Sequence, residues 1–247
     1  METKYIGIYN NSLDGEYCNY LINIFENHKD KFPGHTLGGI DKNIKDTDDL
    51  LINTSCSDKT LLEIEEKLSN ELINKLNVYL KMLNNTFPEN NPYNFFLNKI
   101  ISNNHGFQLQ RYIKGVGKFT YHNDFTIDWG SKTHRIITFI WYLNDIEEGG
   151  ETEFFGNYKI KPEKGKLVFF PSVWTFPHRG CVPISSNKYI LTGWLYEGLD
   201  GNNIKNNISD IKTTDNMIEF NIKRNILDGK INNNDNEKDD NNQKDAS

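Results

Sequence analysis

The feature that most constrains this fold is a series of short strand patterns in the second half of the chain. The segments are rich in β-branched and aromatic residues and are separated by turn sequences such as Lys114-Gly115 and Gly149-Gly150. No helical pattern interrupts them, which favours a double-sheet barrel or sandwich over a βαβ fold. The predicted strands are residues 107–113, 118–122, 134–143, 152–155, 166–170 and 189–196.

The first hundred residues carry helical patterns and are predicted to support these strands. A short strand at residues 5–9 is followed by Asn11 and Ser12, which offer an N-cap for a helix that ends near His28. Residues 61–83 carry the strongest helical pattern, with one broad apolar stripe that would pack against a sheet. Between the helices, residues 31–60 are polar and are predicted to be mostly loop, with one candidate strand at 50–52.

The chain therefore divides into four predicted regions. Residues 1–104 form an N-terminal helical support, and residues 105–198 form the β core. Residues 199–231 form a C-terminal extension with pairing elements at 217–222. Residues 232–247 are almost entirely polar or charged, so they are predicted to be a disordered tail. The 31–60 loop and the 199–231 extension are competing candidates for a lid over the core.

Composition and charge argue against several classes of function. The formal net charge of −6 disfavours a nucleic-acid partner. The three cysteines are too few and too scattered for a disulfide framework or a zinc site. No apolar run has the length of a secretion signal or of a membrane span, which takes roughly 18–20 residues. These patterns predict a cytoplasmic protein without a membrane partner and leave the oligomeric state open.

Two histidines and one aspartate in the β region form a candidate iron site. His122 and Asp124 are two residues apart, so on a strand both would point to the same face. His178 follows the apolar strand at 166–170 closely enough to lie on a neighbouring strand of the same barrel. Two imidazoles and one carboxylate are the ligands of a non-haem Fe(II) site that keeps positions open for oxygen.

A lysine ten residues after His178 adds an anion site to this pattern. Lys188 begins an otherwise apolar strand, where it would share one face with Thr192. An inward-facing lysine is costly unless it meets an anion, so this position suggests a dicarboxylate that also contacts the metal. Strand parity directs Tyr142 toward the same interior. The alternative is an ordinary solvent-exposed lysine on an edge strand.

These motifs, in this order, resemble the Fe(II)- and 2-oxoglutarate-dependent dioxygenases, specifically the prolyl 4-hydroxylase-like family. The resemblance covers roughly residues 105–198. Its segments are Arg111-Tyr112 with Gly115, Gly117 and Phe119 before His122; Trp-Tyr-Leu-Asn at 141–144; Gly-Gly-Glu-Thr-Glu-Phe at 149–154; Leu-Val-Phe-Phe-Pro-Ser at 167–172; and Lys-Tyr-Ile-Leu-Thr-Gly-Trp at 188–194.

The resemblance implies a double-stranded β-helix, or jelly roll, with the N-terminal helices packed on its larger sheet. It implies that Fe(II) is bound by the two histidines and the aspartate, with 2-oxoglutarate as cosubstrate, molecular oxygen as reactant and ascorbate as a candidate reductant. Lys188 would pair with the distal carboxylate of 2-oxoglutarate, assisted by Tyr142 and Thr192, while Tyr112 would lie near the cosubstrate. Trp194 would be a wall of the site.

The activity that the resemblance implies is hydroxylation of a prolyl residue in a peptide or protein, with decarboxylation of 2-oxoglutarate to succinate. One alternative is the same chemistry on a free amino acid, another side chain or a small metabolite. A second alternative is a non-catalytic jelly-roll binding module, which the intact set of His122, Asp124, His178 and Lys188 disfavours. The aromatic residues at 174–176 are predicted to be core ahead of substrate wall.

Overall fold

The computed structural model describes residues 3–86, 100–101, 106–128, 133–198, 213–214 and 217–218. A 3-10 helix at Thr3–Tyr5 precedes the helices α1 (Gly15–Asn27) and α2 (Lys59–Thr86). The strands are β1 (Gly7–Tyr9), β2 (Phe32–Pro33), β3 (Lys45–Asp46), β4 (Asp48–Ile52), β5 (Ile100–Ile101), β6 (Phe107–Tyr112), β7 (Lys118–His122), β8 (Ile127–Asp128), β9 (Thr133–Tyr142), β10 (Thr152–Phe154), β11 (Tyr158–Ile160), β12 (Leu167–Pro171), β13 (His178–Gly180), β14 (Lys188–Gly198), β15 (Thr213–Thr214) and β16 (Met217–Ile218).

The strands form a major sheet and a minor sheet. The major sheet has the order β1-β12-β9-β14-β6-β4-β2, with β5 paired to β14 and β8 paired to β9. The minor sheet has the order β11-β10-β13-β7-β3. All of these pairings are antiparallel, as expected when the strands follow one another without crossover helices.

The two faces of the major sheet have different partners. One face packs on the helices through Leu21 and Phe25 of α1 and Leu68 and Tyr79 of α2. The other face points toward the minor sheet. The apolar cluster on that side joins both sheets and contains Tyr112, Ile140, Tyr142, Phe154, Ile160, Val168, Phe170, Phe176 and Ile190. The predicted helical buttress on a mainly β core is confirmed.

The start of α1 differs from the predicted cap. Asp14 is the N-cap, and its carboxylate accepts hydrogen bonds from the backbone N–H groups of Glu16 and Tyr17 at 2.9 and 3.1 Å. Ser12 instead accepts a hydrogen bond from the buried indole of Trp141 at 3.0 Å. The prediction of a cap at Asn11 and Ser12 is therefore wrong by two residues, whereas the helix end near His28 is confirmed.

Residues 31–60 are mostly loop, as predicted, and the predicted strand at 50–52 lies within β4; the segment also supplies β2 and β3, which were not predicted, so that it contributes strands to both sheets. β4 pairs with β6 along its full length, β2 pairs with β4, and β3 pairs with β7. Two-residue strands leave no alternation to detect, so the pattern of the segment could not show them. The partner strands lie far along the chain, and pairing with them determines the structure of this segment.

The long strands match their predictions, and the shortest ones were missed. β6, β7, β9, β10, β12 and β14 begin and end within two residues of the predicted ranges. β11 and β13 have no predicted range. His178 was predicted to lie on a strand of the same barrel that neighbours the one at 166–170; it does lie on a strand, but β13 pairs with β10 and β7 and not with β12. β16 covers the start of the predicted pairing element at 217–222 and pairs with β15. The polar tail predicted at residues 232–247 lies outside the described residues.

The four-region division of the chain stays a prediction. Within the residues that the structure describes, no helix is long and apolar enough to cross a membrane.

Candidate metal and cosubstrate site

The two candidate histidines come together because β7 and β13 are neighbours. His122 lies directly opposite His178 in the strand ladder, and Asp124 follows two residues after β7 ends. Asn123 between them is exposed, so the predicted alternation holds at this point. The three side chains offer ligand atoms that all lie within 4.8 Å of one another, and they are the one such cluster found among the described residues.

A β-bulge in β7 sets the direction of His122. The four residues of β7 from Phe119 to His122 face only three residues of β13, from Gly180 to His178. One extra residue shifts the alternation, so that Phe119 and His122 face the same side, and their rings stack with centroids 3.5 Å apart. Bulges of this kind re-aim side chains beside active sites. Strand parity alone does not predict that Phe119 and His122 face the same side.

Both imidazoles present the same nitrogen to the cluster. Nδ1 of His122 lies 2.7 Å from the Thr120 carbonyl, and Nδ1 of His178 lies 3.1 Å from the Phe176 carbonyl. A carbonyl oxygen only accepts a hydrogen bond, so in the neutral form of each ring Nδ1 carries the proton and Nε2 keeps its lone pair. The Nε2 atoms of His122 and His178 lie 3.6 and 3.4 Å from the Asp124 carboxylate.

The protonation states of the cluster suit a cation. Burial, and after it the nearby imidazole of His178, lowers the pKa of His122 to about 4, so this ring is neutral at pH 7. Burial alone would raise the pKa of the Asp124 carboxyl, but the two imidazoles and the Thr138 hydroxyl lower it overall. A neutral imidazole beside a carboxylate is the form that binds a metal.

Two hydroxyl side chains that were not predicted as site residues orient Asp124. The Thr138 hydroxyl donates to the Asp124 carboxylate at 2.8 Å and lies 2.8 Å from the Ser172 hydroxyl. Both residues are almost fully buried. Alternation along β9 puts Thr138 on the same face as Tyr142, but its contact with Ser172 depends on the pairing of β9 with β12. Such contacts hold a carboxylate ligand in one orientation.

Lys188 is buried inside the barrel, as its strand position predicted. Its side chain is 1% exposed, its ammonium donates to the Gly150 carbonyl at 2.9 Å, and it lies 4.0 Å from the centroid of the Tyr112 ring. It has no ion-pair partner in the part of the chain that the structure describes. Burial lowers the pKa of Lys188 to about 7, against smaller opposing effects of Cys181 and Glu151. The solvent-exposed alternative is excluded.

The three other residues predicted to contact the cosubstrate lie at different positions relative to Lys188. Tyr112 is opposite Lys188 on β6, and its hydroxyl donates to Gln110 at 3.3 Å. Tyr142 lies opposite Ile190 on the neighbouring strand β9, two positions along from Lys188, and its hydroxyl donates to Thr152 at 2.6 Å. The Thr192 hydroxyl donates to the Phe139 carbonyl at 2.8 Å, so its proton is already used within the sheet. Their roles toward a cosubstrate stay predictions.

The aromatic residues around the cluster separate into core and surface. Phe176 is buried, but Trp174 is 75% exposed, so the core prediction for residues 174–176 is correct for Phe176 and wrong for Trp174. Trp194 is half-buried and lies opposite Thr138, and the Arg135 guanidinium lies 3.5 Å from the centroid of its ring. The Trp194 indole nitrogen is buried without a hydrogen-bond partner among the described residues.

The comparison with protein families agrees with this geometry. The model of the 2OG-Fe(II) oxygenase superfamily matches residues 107–196, a range that contains His122, Asp124, His178 and Lys188. Residues 107–196 are a 2OG-Fe(II) oxygenase domain. The predicted family is thereby confirmed.

Curated relatives narrow the family. The oxygenase is 28% identical over 225 residues to "Probable prolyl 4-hydroxylase 10" of Arabidopsis thaliana, an alignment that covers 76% of this chain and 67% of that protein. It is 31% identical over 123 residues to "Probable prolyl 4-hydroxylase 9" of the same organism, covering 39% of this chain and 43% of that relative. The oxygenase domain and these relatives support a 2-oxoglutarate-dependent dioxygenase that is similar to the prolyl 4-hydroxylases.

A solved structure confirms the fold. A prolyl hydroxylase from Trichoplax adhaerens, in complex with a hypoxia inducible factor oxygen degradation domain peptide fragment, superposes with a TM-score of 0.57 at 18% identity. That superposition covers 79% of this chain and 84% of the other. At this identity the likeness bears on the fold, which is the predicted double-stranded β-helix.

Proposed function

We propose that this oxygenase hydroxylates a prolyl residue in a peptide or protein, using Fe(II) held by His122, Asp124 and His178. Lys188 would bind the distal carboxylate of 2-oxoglutarate, with Tyr112 and Tyr142 beside it. The observation that carries the proposal is the presence of both parts in one barrel interior: a cluster of two imidazole nitrogens and one carboxylate, and a fully buried lysine without a counter-ion among the described residues.

The residues fit both groups on chemical grounds. Two imidazoles with their Nε2 lone pairs free and one oriented carboxylate are the ligand set of non-haem Fe(II) oxygenases. A buried ammonium with a lowered pKa gains most from an anion, because burial is what disfavours its charge. When bound, iron and 2-oxoglutarate would supply oxygen activation coupled to decarboxylation of the cosubstrate to succinate. Ascorbate dependence stays a prediction.

The chain's own residues would orient and enclose the reactants. Thr138 and Ser172 hold the Asp124 carboxylate in one direction, and the backbone carbonyls of Thr120 and Phe176 hold both imidazoles. The rings of Phe154 and Phe170 pack beside His178 with centroids 5.5 and 4.7 Å away. This apolar shell limits the access of water to the site.

Two observations support a prolyl substrate. The curated relatives are named prolyl 4-hydroxylases, and one solved neighbour is a prolyl hydroxylase in complex with a peptide fragment. Beside the cluster, the Trp194 ring with Arg135 stacked on it offers a flat apolar wall next to a cation. A pyrrolidine ring can pack on such a wall while the guanidinium contacts a peptide carbonyl.

Mass spectrometry of peptide libraries tests the substrate. We expect that the oxygenase, incubated with Fe(II), 2-oxoglutarate and ascorbate, adds one oxygen atom to proline in peptides and forms succinate in equal amount. The Lys188→Met variant in the same reactions should give neither product. Oxygen on free proline, on another side chain or on a small metabolite, with none on peptidyl proline, would replace this proposal with the small-substrate alternative.

The pH dependence of cosubstrate binding follows from Lys188. Its pKa of about 7 in the free protein means that, above pH 7, binding of an anion requires uptake of a proton. We therefore expect the affinity for 2-oxoglutarate to fall as the pH rises from 7 to 9, approaching about tenfold per pH unit. Calorimetric titration of the Mn(II)-loaded protein measures this, with Lys188→Met as a reference that lacks the slope. A constant affinity between pH 6 and pH 9 would contradict the assignment.

A further inference from the structure

A row of polar side chains lies on the outer face of the minor sheet, directly behind the candidate iron ligands. Glu153 of β10 is opposite Arg179 of β13 on one side and opposite Lys159 of β11 on the other. Tyr121 of β7 extends the row to a fourth strand. Because side chains alternate along a strand, these residues face away from the barrel interior, whereas His122, His178 and Phe154 face into it.

The Glu153 carboxylate is the centre of this row. It accepts a hydrogen bond from the Tyr121 hydroxyl at 2.5 Å, and both of its oxygens lie 2.9 Å from one guanidinium nitrogen of Arg179. The Lys159 ammonium lies 3.5 Å away. The Glu153 side chain is only 3% exposed because these neighbours cover it. The hydrogen bonds from Arg179 and Tyr121 lower the pKa of Glu153 to about 2, so it is anionic at neutral pH.

Two partners of Glu153, Tyr121 and Arg179, are chain neighbours of candidate iron ligands. Tyr121 precedes His122, and Arg179 follows His178. Glu153 itself precedes Phe154, whose ring packs beside His178 with centroids 5.5 Å apart. Each of the outward-facing residues Tyr121, Glu153 and Arg179 is therefore adjacent in its strand to an inward-facing residue of the site, namely His122, Phe154 or His178.

The hydrogen bond from Tyr121 to Glu153 restrains the bulge in β7. The extra residue lies between Phe119 and His122, and this stretch, which contains Tyr121, faces Arg179 across the ladder. A bulge leaves part of the backbone out of the regular hydrogen-bond pattern, so its conformation depends on other contacts. The hydrogen bond from Tyr121 to Glu153 is such a contact, and Arg179 joins the same carboxylate from the opposite strand.

We propose that Glu153 is a positioning residue that locks the β7 bulge to β13, so that His122 and His178 direct their Nε2 atoms at one metal ion. This inference rests on the proposed iron site. Glu153 contacts neither the metal ligands nor the cosubstrate lysine and acts through Tyr121 and Arg179. Without the carboxylate, both partners are exposed enough to turn to solvent, so the fold keeps its core while the two strands lose their shared restraint.

The test measures metal binding directly, in the full-length protein without substrate. We expect Glu153→Leu to weaken Co(II) affinity about tenfold, the lower end of what the loss of a supporting contact costs at a metal site. It should also shift the charge-transfer band of the anaerobic Fe(II)–2-oxoglutarate complex. Glu153→Gln should recover most of the affinity, because its amide oxygen still accepts a hydrogen bond. Glu147→Leu removes an exposed carboxylate that lies six residues earlier in the chain and should leave both signals unchanged.

Two comparisons keep the outcomes separate. If Glu153→Leu binds Co(II) like the unmodified protein while Asp124→Ala does not bind it, the positioning role is wrong and the iron site stands. If Asp124→Ala also binds normally, the proposed iron site itself is wrong. Should Glu153→Leu fail to fold, Tyr121→Phe removes one hydroxyl only: weakened metal binding supports the inference, and unchanged affinity overturns it.

Discussion

Replacing Asp124 with alanine should abolish cosubstrate turnover and weaken metal binding at least about 100-fold, the upper end of the cost of losing a mere supporting contact. The substitution removes the one anionic ligand of the proposed Fe(II) site and leaves two neutral imidazoles. It also leaves the buried Thr138 hydroxyl without its acceptor. Anaerobic titration with Fe(II) and 2-oxoglutarate, followed by the charge-transfer band, measures the loss.

Two further variants make this result specific. Asp124→Asn keeps the size of the side chain and an oxygen that can accept from Thr138, so loss of the band in this variant isolates the charge. Asp41→Ala removes an exposed carboxylate far along the chain and should keep the band. An Asp124→Ala protein with an unchanged band and turnover would refute the proposed iron ligands.

Replacing Lys188 with methionine should raise the dissociation constant for 2-oxoglutarate by roughly 30- to 5,000-fold. This range corresponds to the loss of about 2–5 kcal/mol when one partner of a buried charge pair is removed. Methionine retains an apolar chain of similar length, so the packing against the Tyr112 ring is largely kept. Metal affinity without 2-oxoglutarate should not change, because Lys188 is not among the clustered ligands. Lys161→Met, at a half-exposed lysine, is the matched control.

The same variant should be more stable than the unmodified protein when no cosubstrate is present. Lys188 has a pKa of about 7 in the folded chain and 10.5 as its ordinary value, so between these pH values the unfolded state binds more protons. The stability of the unmodified protein should therefore rise with pH across this window, and Lys188→Met should lack that rise. Thermal unfolding at pH 7 and pH 10 measures both effects. If the stability of the two proteins depended on pH in the same way, the lowered pKa of the buried Lys188 would be contradicted.

Together these variants separate the two halves of the site. Loss of metal binding with Asp124→Ala, and loss of cosubstrate binding alone with Lys188→Met, would establish two distinct contacts. A protein that bound neither metal nor 2-oxoglutarate in its unmodified form would instead be the non-catalytic binding module.

Much of the site could be predicted because its residues obey local periodicity. The two-residue spacing of His122 and Asp124 places them on one face, and the parity of the last long strand directs Lys188 inward; both follow from the alternation of side chains along a strand. The long strands β9 and β14 have enough residues for this alternation to be read. Family motifs in the right order then restricted the chemistry.

Features that depend on pairing could not be predicted in this way. Residues 31–60 contribute strands only because β6 and β7, distant in the chain, accept them as neighbours. Whether Trp174 or Phe176 is buried depends on what packs against the loop before His178. The bulge that aims His122 is a property of two strands together, so neither strand reveals it alone.

The sequence by itself determined the long strands, the inward position of Lys188 and the identity of the four chemical groups, because alternation and residue type are local properties. Only the tertiary structure decided which strands are neighbours. This pairing brings His122 opposite His178 and lets Asp124 accept a hydrogen bond from Thr138, which also contacts Ser172. It also places Glu153 between Tyr121 and Arg179. Neighbours in a sheet are selected by the packing of the whole chain, and no local pattern encodes them.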